Sequence, residues 1–143
     1  MFWQHPFHTD ELEHALALIN SMDRAGWPEE ALDILFDCPK TRLAAYGTLR
    51  PGESNASVLA DVPGVWLEGT VQGVRYQAHG YPAFTWQLGE DTAPVSVLTS
   101  AALPAHWSRL DAFEGRSYSR ILVPIRLPNG HNLVAYLYEY IGT

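Results

Sequence analysis

The sequence predicts an α+β protein, mostly strand and turn, preceded by an N-terminal extension of two helices. Three observations carry this. Eleven Gly and ten Pro in 143 residues imply many turns, which favours strands over a helical bundle. The apolar pattern is helical up to about residue 40 and strand-like beyond it. The charge divides at the same point: residues 1–40 hold eight acids and two bases, whereas residues 41–143 hold eight acids and seven arginines.

In the extension, Asp10 with Glu13 three residues on resembles a capping box. Leu12, Leu16 and Ile19 follow at i, i+4, i+7, and Gly26 is expected to end this first helix. Pro28, Glu29 and Glu30 open a second helix whose apolar stripe is Leu32, Leu35 and Phe36, stopped by Cys38-Pro39. Two short amphipathic helices are not stable alone in water, so residues 1–40 are an appendage that packs on residues 41–143 or on a partner chain.

Beyond it, Leu43-Ala44-Ala45-Tyr46 ended by Gly47 suits a buried strand leaving a sheet. Gly64, Gly69, Gly73 and Gly80 predict strands joined by tight turns or bulges over 65–81. Further strands are expected over 83–88 and 94–99. Ser100 is placed to cap a helix over 101–113, with Leu103, Trp107 and Leu110 on one face. A hairpin of 119–127 and 132–140 closes the chain around Asn129-Gly130, the strongest short hairpin-turn signal.

Composition excludes several classes. With 47% hydrophobic and 17% charged residues the chain can fill a core and is not disordered. A net charge of −7, with Lys40 the only lysine, argues against nucleic acid and anionic membrane surfaces as partners. No apolar stretch approaches the roughly 20 residues of a membrane span, and the N-terminus lacks a signal peptide's basic start and apolar block. A soluble cytoplasmic protein is expected. One cysteine, Cys38, excludes an internal disulfide and a Cys-based zinc site, and it reads as a small buried filler. His5-x-x-His8 has loose ligand spacing with no second pair, so no metal site is expected. No nucleophile elbow or Gly-rich phosphate loop is present.

Two segments remain as candidates for chemistry. In Tyr46-Gly47-Thr48-Leu49-Arg50, a strand running into Gly can turn successive backbone N–H groups toward one point, where they bind a carboxylate or a developing oxyanion. The plain alternative is a strand ending in a turn, with Thr48 and Arg50 solvated. In the second segment, Glu114 stands between Phe113 and Gly115 at the expected end of a helix, where a carboxylate is electrostatically disfavoured. Burial by apolar neighbours would raise its pKa toward neutrality, as a general acid/base requires. The plain alternative is a salt bridge to Arg116 or Arg120.

Taken in order, Tyr46-Gly47-Thr48-Leu49, Asn55, Tyr81-Pro82, the run Leu110-Asp111-Ala112-Phe113-Glu114-Gly115 with Tyr118 and Arg120, and Tyr138 resemble the gamma-glutamylcyclotransferase-like (AIG2-like, gamma-glutamylamine cyclotransferase) family over about residues 42–140. The resemblance implies a small mixed β-barrel of about six strands with flanking helices and one internal cavity. It implies release of 5-oxoproline and an amine from a small gamma-glutamyl amine or amide, without metal or organic cofactor. Glu114 matches the catalytic glutamate, and Tyr46, Gly47, Thr48 and Leu49 match the loop that holds the glutamyl group. Tyr118 and Tyr138 are candidates for lining the cavity and orienting Glu114; Arg120 either holds a carboxylate or neutralises Asp111 inside the fold, and the structural role is favoured. The family's Gly-Glu pair is missing from the strand that here reads Pro94-Val95-Ser96-Val97-Leu98. The alternative function is a non-catalytic module of the same fold that binds a small molecule or peptide. Residues 1–40 could cap the barrel, shape the cavity mouth or mediate a homodimer.

Overall fold

The computed structural model describes residues 9–89 and 91–142. The expected His5/His8 pair and the side chain of Asp10 lie outside the described residues. Helix α1 spans Thr9–Asn20 and α2 spans Glu29–Phe36. Strand β1 is Arg42–Ala45, β2 Val65–Ala78, β3 Tyr81–Trp86 and β4 Thr92–Thr99; helix α3 is Trp107–Glu114, and β5 Tyr118–Arg126 and β6 Asn132–Tyr140 complete the chain. Among the described residues no helix is long and apolar enough to cross a membrane.

The six strands lie in the order β3-β2-β4-β1-β6-β5, and a further pairing of β2 with β5 closes five of them into a mixed barrel. All pairings are antiparallel except β1 with β6. β3 pairs only with the outer half of β2, so it stands out from the barrel as an arm.

β2 is one continuous 14-residue strand rather than several short ones. Its glycines bend it without breaking it. Gly69 lies where β5 crosses β2: a Cβ there would stand 2.7 Å from Ile125 Cγ2 and 2.9 Å from the Arg126 carbonyl oxygen, so the missing side chain is what lets the barrel close. At Gly73, with φ +146°, β2 leaves β4 and takes β3 as its partner, and the Gly73 N–H turns to the Asp91 carbonyl at 2.9 Å.

Residues of β1, β5 and β6 are buried on both faces, by strict alternation. Ala44, Ile121, Val123, Ala135 and Leu137 fill the barrel, while Leu43, Leu122, Val134 and Tyr136 face a second core outside it. Leu12 and Leu16 of α1 and Leu32 and Phe36 of α2 complete that outer core, each almost fully buried. The N-terminal helices therefore cover a barrel face. Leu35, expected in the α2 stripe, is instead 38% exposed. Cys38 is exposed too, in a left-handed turn between α2 and β1, and is not a buried filler.

Two helical boundaries differ from expectation. α1 stops at Asn20, well before Gly26, where the backbone tightens to i→i+3 bonds, Ser21 N–H to the Leu18 carbonyl at 3.2 Å and Met22 N–H to the Ile19 carbonyl at 3.0 Å; the Asn20 side-chain amide donates to the Leu122 carbonyl at 2.8 Å and accepts from the Leu122 N–H at 3.0 Å. Asn20 thus stands in for a neighbouring strand where β5 has none. The expected helix over 101–113 is split into a 3-10 turn at Leu103–Ala105 and α3: Pro104 has no N–H to give the Ser100 carbonyl, which accepts instead from the Leu103 N–H at 3.2 Å. Ser100 does not cap this turn, whose N-cap is Ala102; its Oγ accepts from the Ala102 N–H at 3.1 Å just ahead of it.

Candidate active site

β1 delivers Tyr46 and the loop 47–55 to one end of the barrel. The β2–β3 arm reaches over the same end with its turn at His79-Gly80. α3 terminates there at Glu114, and Gly115 reverses the chain into β5, its N–H on the Asp111 carbonyl at 3.0 Å. These elements enclose a cavity of about 620 Å³. All seven residues singled out in the sequence line it: Tyr46, Gly47, Thr48, Leu49, Glu114, Tyr118 and Tyr138.

Glu114 is the chemically distinctive member. Burial alone pushes its carboxyl up to about 7. Among the described residues it has no hydrogen-bond donor and no ion-pair partner. Neither plain alternative for it holds: Arg116 is exposed, and Arg120 is taken by Asp111, with bonds of 2.9 and 3.1 Å. Phe113 does not bury it either, being 45% exposed at the cavity edge.

The three tyrosines frame the cavity and do not grip Glu114. Tyr46 donates to the Tyr138 carbonyl at 2.7 Å, Tyr118 to the Pro82 carbonyl at 2.6 Å and Tyr138 to Asp111 Oδ1 at 2.7 Å. The expected orienting of Glu114 by Tyr118 and Tyr138 is therefore corrected: both hydroxyls are committed to other acceptors. Burial, with the nearby Glu114 charge as a further cause, pushes all three phenols upward, so they remain neutral donors.

Asp111 anchors the floor. Burial pushes its carboxyl up, but the bonds from Arg120 and Tyr138 outweigh that and hold it below the usual carboxylate range. The Arg120 guanidinium lies 4.5 Å from the ring centroids of both Trp107 and Tyr136, and Arg24 of the extension reaches Asp111 at 3.4 Å. The assignment of Arg120 to Asp111 agrees with this geometry.

The loop is held by its own chain. Asn55 donates through its backbone to the Thr48 carbonyl and through its side chain to Thr48 Oγ1, both at 2.9 Å. Arg50 returns to the Gly47 carbonyl through its backbone N–H and through Nε, each at 3.3 Å. The backbone N–H groups of Gly47, Thr48 and Leu49 donate to no acceptor among the described residues. They are unspent donors in residues that line the cavity. Sequence reasoning missed the roles of Ser54, His79 and Tyr140 in the lining. The His79-Gly80 turn signal was readable, but its folding back over the barrel was not. Among the described residues no cluster of three or more His, Cys, Asp or Glu side chains is arranged to hold a metal ion.

Residues 43–143 match the gamma-glutamyl cyclotransferase, AIG2-like family. The chain belongs to that family. No curated protein sequence is significantly similar to it. Among solved structures, a protein of Arabidopsis thaliana determined in solution is similar with a TM-score of 0.54 and 23% identity, over 69% of this chain and 61% of that one. YkqA of Bacillus subtilis is similar with a TM-score of 0.58 and 26% identity, over 72% of this chain and 36% of that one. An AIG2-like protein of Mus musculus is similar with a TM-score of 0.54 and 19% identity, over 69% of this chain and 76% of that one. The chain thus spans under two thirds of the Arabidopsis relative and about a third of YkqA. The family match begins at β1 and leaves α1 and α2 outside it.

Proposed function

We propose that this family member is a gamma-glutamyl cyclotransferase: it releases 5-oxoproline and an amine from a small gamma-glutamyl amine or amide, with Glu114 as the proton shuttle. The observation that carries this reading is the unpartnered Glu114 carboxyl, pushed up to about 7, in the cavity that loop 46–49 also lines.

The substrate's α-carboxylate sits on the free backbone N–H groups of residues 47–49, which folds the glutamyl chain so that its α-amine reaches its own γ-carbonyl carbon. Proximity then supplies much of the rate, since the attack is intramolecular. The new C–N bond forms, the carbonyl oxygen gains charge, and the Glu114 carboxylate takes the proton from the attacking nitrogen. Glu114 returns that proton to the leaving nitrogen as the old C–N bond breaks. The side chain ends as the carboxylate it began as, so one acid serves both transfers. The neutral phenols of Tyr46, Tyr118 and Tyr138 wall the site. The mechanism draws on this chain's own residues alone.

The test is 5-oxoproline release from a panel of gamma-glutamyl amines and amides. The expected outcome is release from at least one, reduced by about 10²–10⁴-fold in Glu114→Gln. Ligand binding without release from any of them would instead favour a non-catalytic binding module.

A further inference from the structure

Glu114 has no hydrogen-bond donor among the described residues, so its side chain stands where the backbone on either side is held. That backbone is a reversal: α3 ends at Glu114, Gly115 adopts φ +79°, and β5 begins at Tyr118. The backbone ties within it are few. The Gly115 N–H reaches the Asp111 carbonyl at 3.0 Å, the Tyr118 N–H reaches the Gly115 carbonyl at 3.4 Å, and the Ser117 carbonyl accepts from the Ile141 N–H at 2.8 Å.

One side chain from outside the family match bridges the two limbs of this reversal. Arg24 Nη2 donates to Asp111 Oδ2 on α3 at 3.4 Å, and Nη1 donates to the Arg120 carbonyl on β5 at 3.2 Å. A guanidinium is a rigid planar fork, so its two bonds set the spacing of the limbs, which a single donor could not do. Arg24 is itself held. It opens the 3-10 turn Arg24–Gly26, where Asp23 Oδ1 accepts from the Ala25 N–H at 3.3 Å, and its carbonyl accepts from the N–H of Trp27, whose ring stacks on Tyr136. The Arg120 carbonyl lies on the same open edge of β5 where Asn20 serves Leu122. The extension thus lends this edge two polar side chains, and of the two it is Arg24 that also reaches α3.

We infer that Arg24 is a positioning residue for the cyclisation: by clamping α3 to β5 it keeps Glu114 inside the cavity, so the N-terminal extension serves the active site as well as covering a barrel face. The inference rests on the cyclotransferase reading for its turnover arm only. Neither Asp111 nor Arg120 lines the cavity, so Arg24 acts through the backbone and not by touching substrate. Burial alone keeps the Glu114 carboxyl up. The titratable groups that share its cavity are Tyr46 of β1, His79 and Tyr81 at the turn of the arm, Tyr118 of β5, and Tyr138 and Tyr140 of β6, with the Asp111–Arg120 pair behind the wall. All of them stay in place when Arg24 alone is replaced. Losing a cation would by itself raise a carboxyl's midpoint, whereas letting water reach the carboxyl lowers it. The two effects have opposite signs, so the direction of change separates them.

Arg24→Ala tests the clamp with two readouts. In turnover, kcat for 5-oxoproline release is expected to fall about 5- to 100-fold with KM within about twofold, because the loop at residues 47–49 is untouched. In a carbon-13 NMR titration of the Glu114 carboxyl, assigned by its loss in Glu114→Gln, the midpoint is expected to fall from about 7 by about 0.5–2 pH units. Asn20→Ala is the control. It strips the same edge of β5 without touching α3, so it lowers the urea midpoint but keeps the wild-type kcat and the wild-type Glu114 titration. Arg24→Lys keeps the charge but not the fork, and is expected to shift both readouts in the same direction by less; it also decides the matter if Arg24→Ala does not fold. A Glu114 midpoint that is unmoved or raised in the Arg24 variants, an unchanged kcat, or an Asn20→Ala variant that shifts as far would overturn the clamp and leave the cyclotransferase reading in place. If the wild type cleaves no gamma-glutamyl amide, that reading fails and the titration alone decides whether Arg24 holds Glu114.

Discussion

Glu114 holds its proton more tightly in the folded protein than in an unfolded chain, where a glutamic acid titrates near 4.5; the folded value is about 7. Between these values the folded state binds more protons than the unfolded state, so stability falls as pH rises from about 4.5 to 7 and stays lower above. Glu139 acts in the same direction: burial pushes its carboxyl up, only partly offset by the Trp86 N–H it accepts at 2.8 Å. Replacing Glu114 with Gln removes its share of this cost. Glu114→Gln is therefore expected to stabilise the protein by about 1–3 kcal/mol at pH 8 and to change it by less than about 0.5 kcal/mol at pH 4.5, read from urea unfolding at both pH values. An equal effect at the two pH values would show that the carboxyl is not held near neutrality. At this scale the sequence was informative about identity. The seven residues it pointed to meet in one cavity, although they are spread from 46 to 138. It was less informative about partners: the Arg120–Asp111 pair was favoured in advance, but nothing in the order of residues says that the Tyr118 and Tyr138 hydroxyls go to Pro82 and Asp111 and leave Glu114 without a donor.

Among the elements, β2 and α1 show what pattern reading resolves and what it does not. Glycine spacing marked where β2 would change course. Whether each glycine starts a new strand or bends a continuous one depends on what crosses it, and at Gly69 that is β5, more than fifty residues later in the chain. Likewise the stripe of Leu12 and Leu16 marked the buried face of α1, but no local pattern showed that Asn20 at its end serves Leu122 across 102 residues. Truncating that amide leaves a backbone N–H and a carbonyl of β5 without their protein partners. Asn20→Ala is expected to cost about 1–3 kcal/mol, measured by urea unfolding. A cost under about 0.5 kcal/mol would mean that water replaces the amide freely and that α1 lends β5 no polar support.

Across the whole molecule, the α+β class, the closing hairpin and the N-terminal helical pair were legible because each rests on local periodicity or turn chemistry. The pairing of β2 with β5 was not, because it is a contact between distant segments with no local signature. The two helices outside the family match share a core with the barrel: Trp27 stacks on Tyr136 at 6.2 Å, and Arg42 ties the Phe36 and Asp37 carbonyls of the extension to the Val134 carbonyl of β6. Through Arg24 on Asp111 the same segment braces the floor beneath Glu114. One barrel end thus gathers a loop of free amides, the side chains of Tyr46, Tyr118 and Tyr138, and the unpartnered Glu114 carboxyl poised near neutrality. The central claim is that this carboxylate moves the proton in ring closure. Its most direct measurement is the pH dependence of kcat/KM for 5-oxoproline release from the best-cleaved gamma-glutamyl amide, in the wild type and in Glu114→Gln. The account predicts a wild-type rate that climbs about tenfold per pH unit below about 7 and levels off above it, with release in the variant about 10²–10⁴-fold lower on the plateau and without that rise. A rate already level by pH 5.5, or a variant that keeps the wild-type profile, would contradict it.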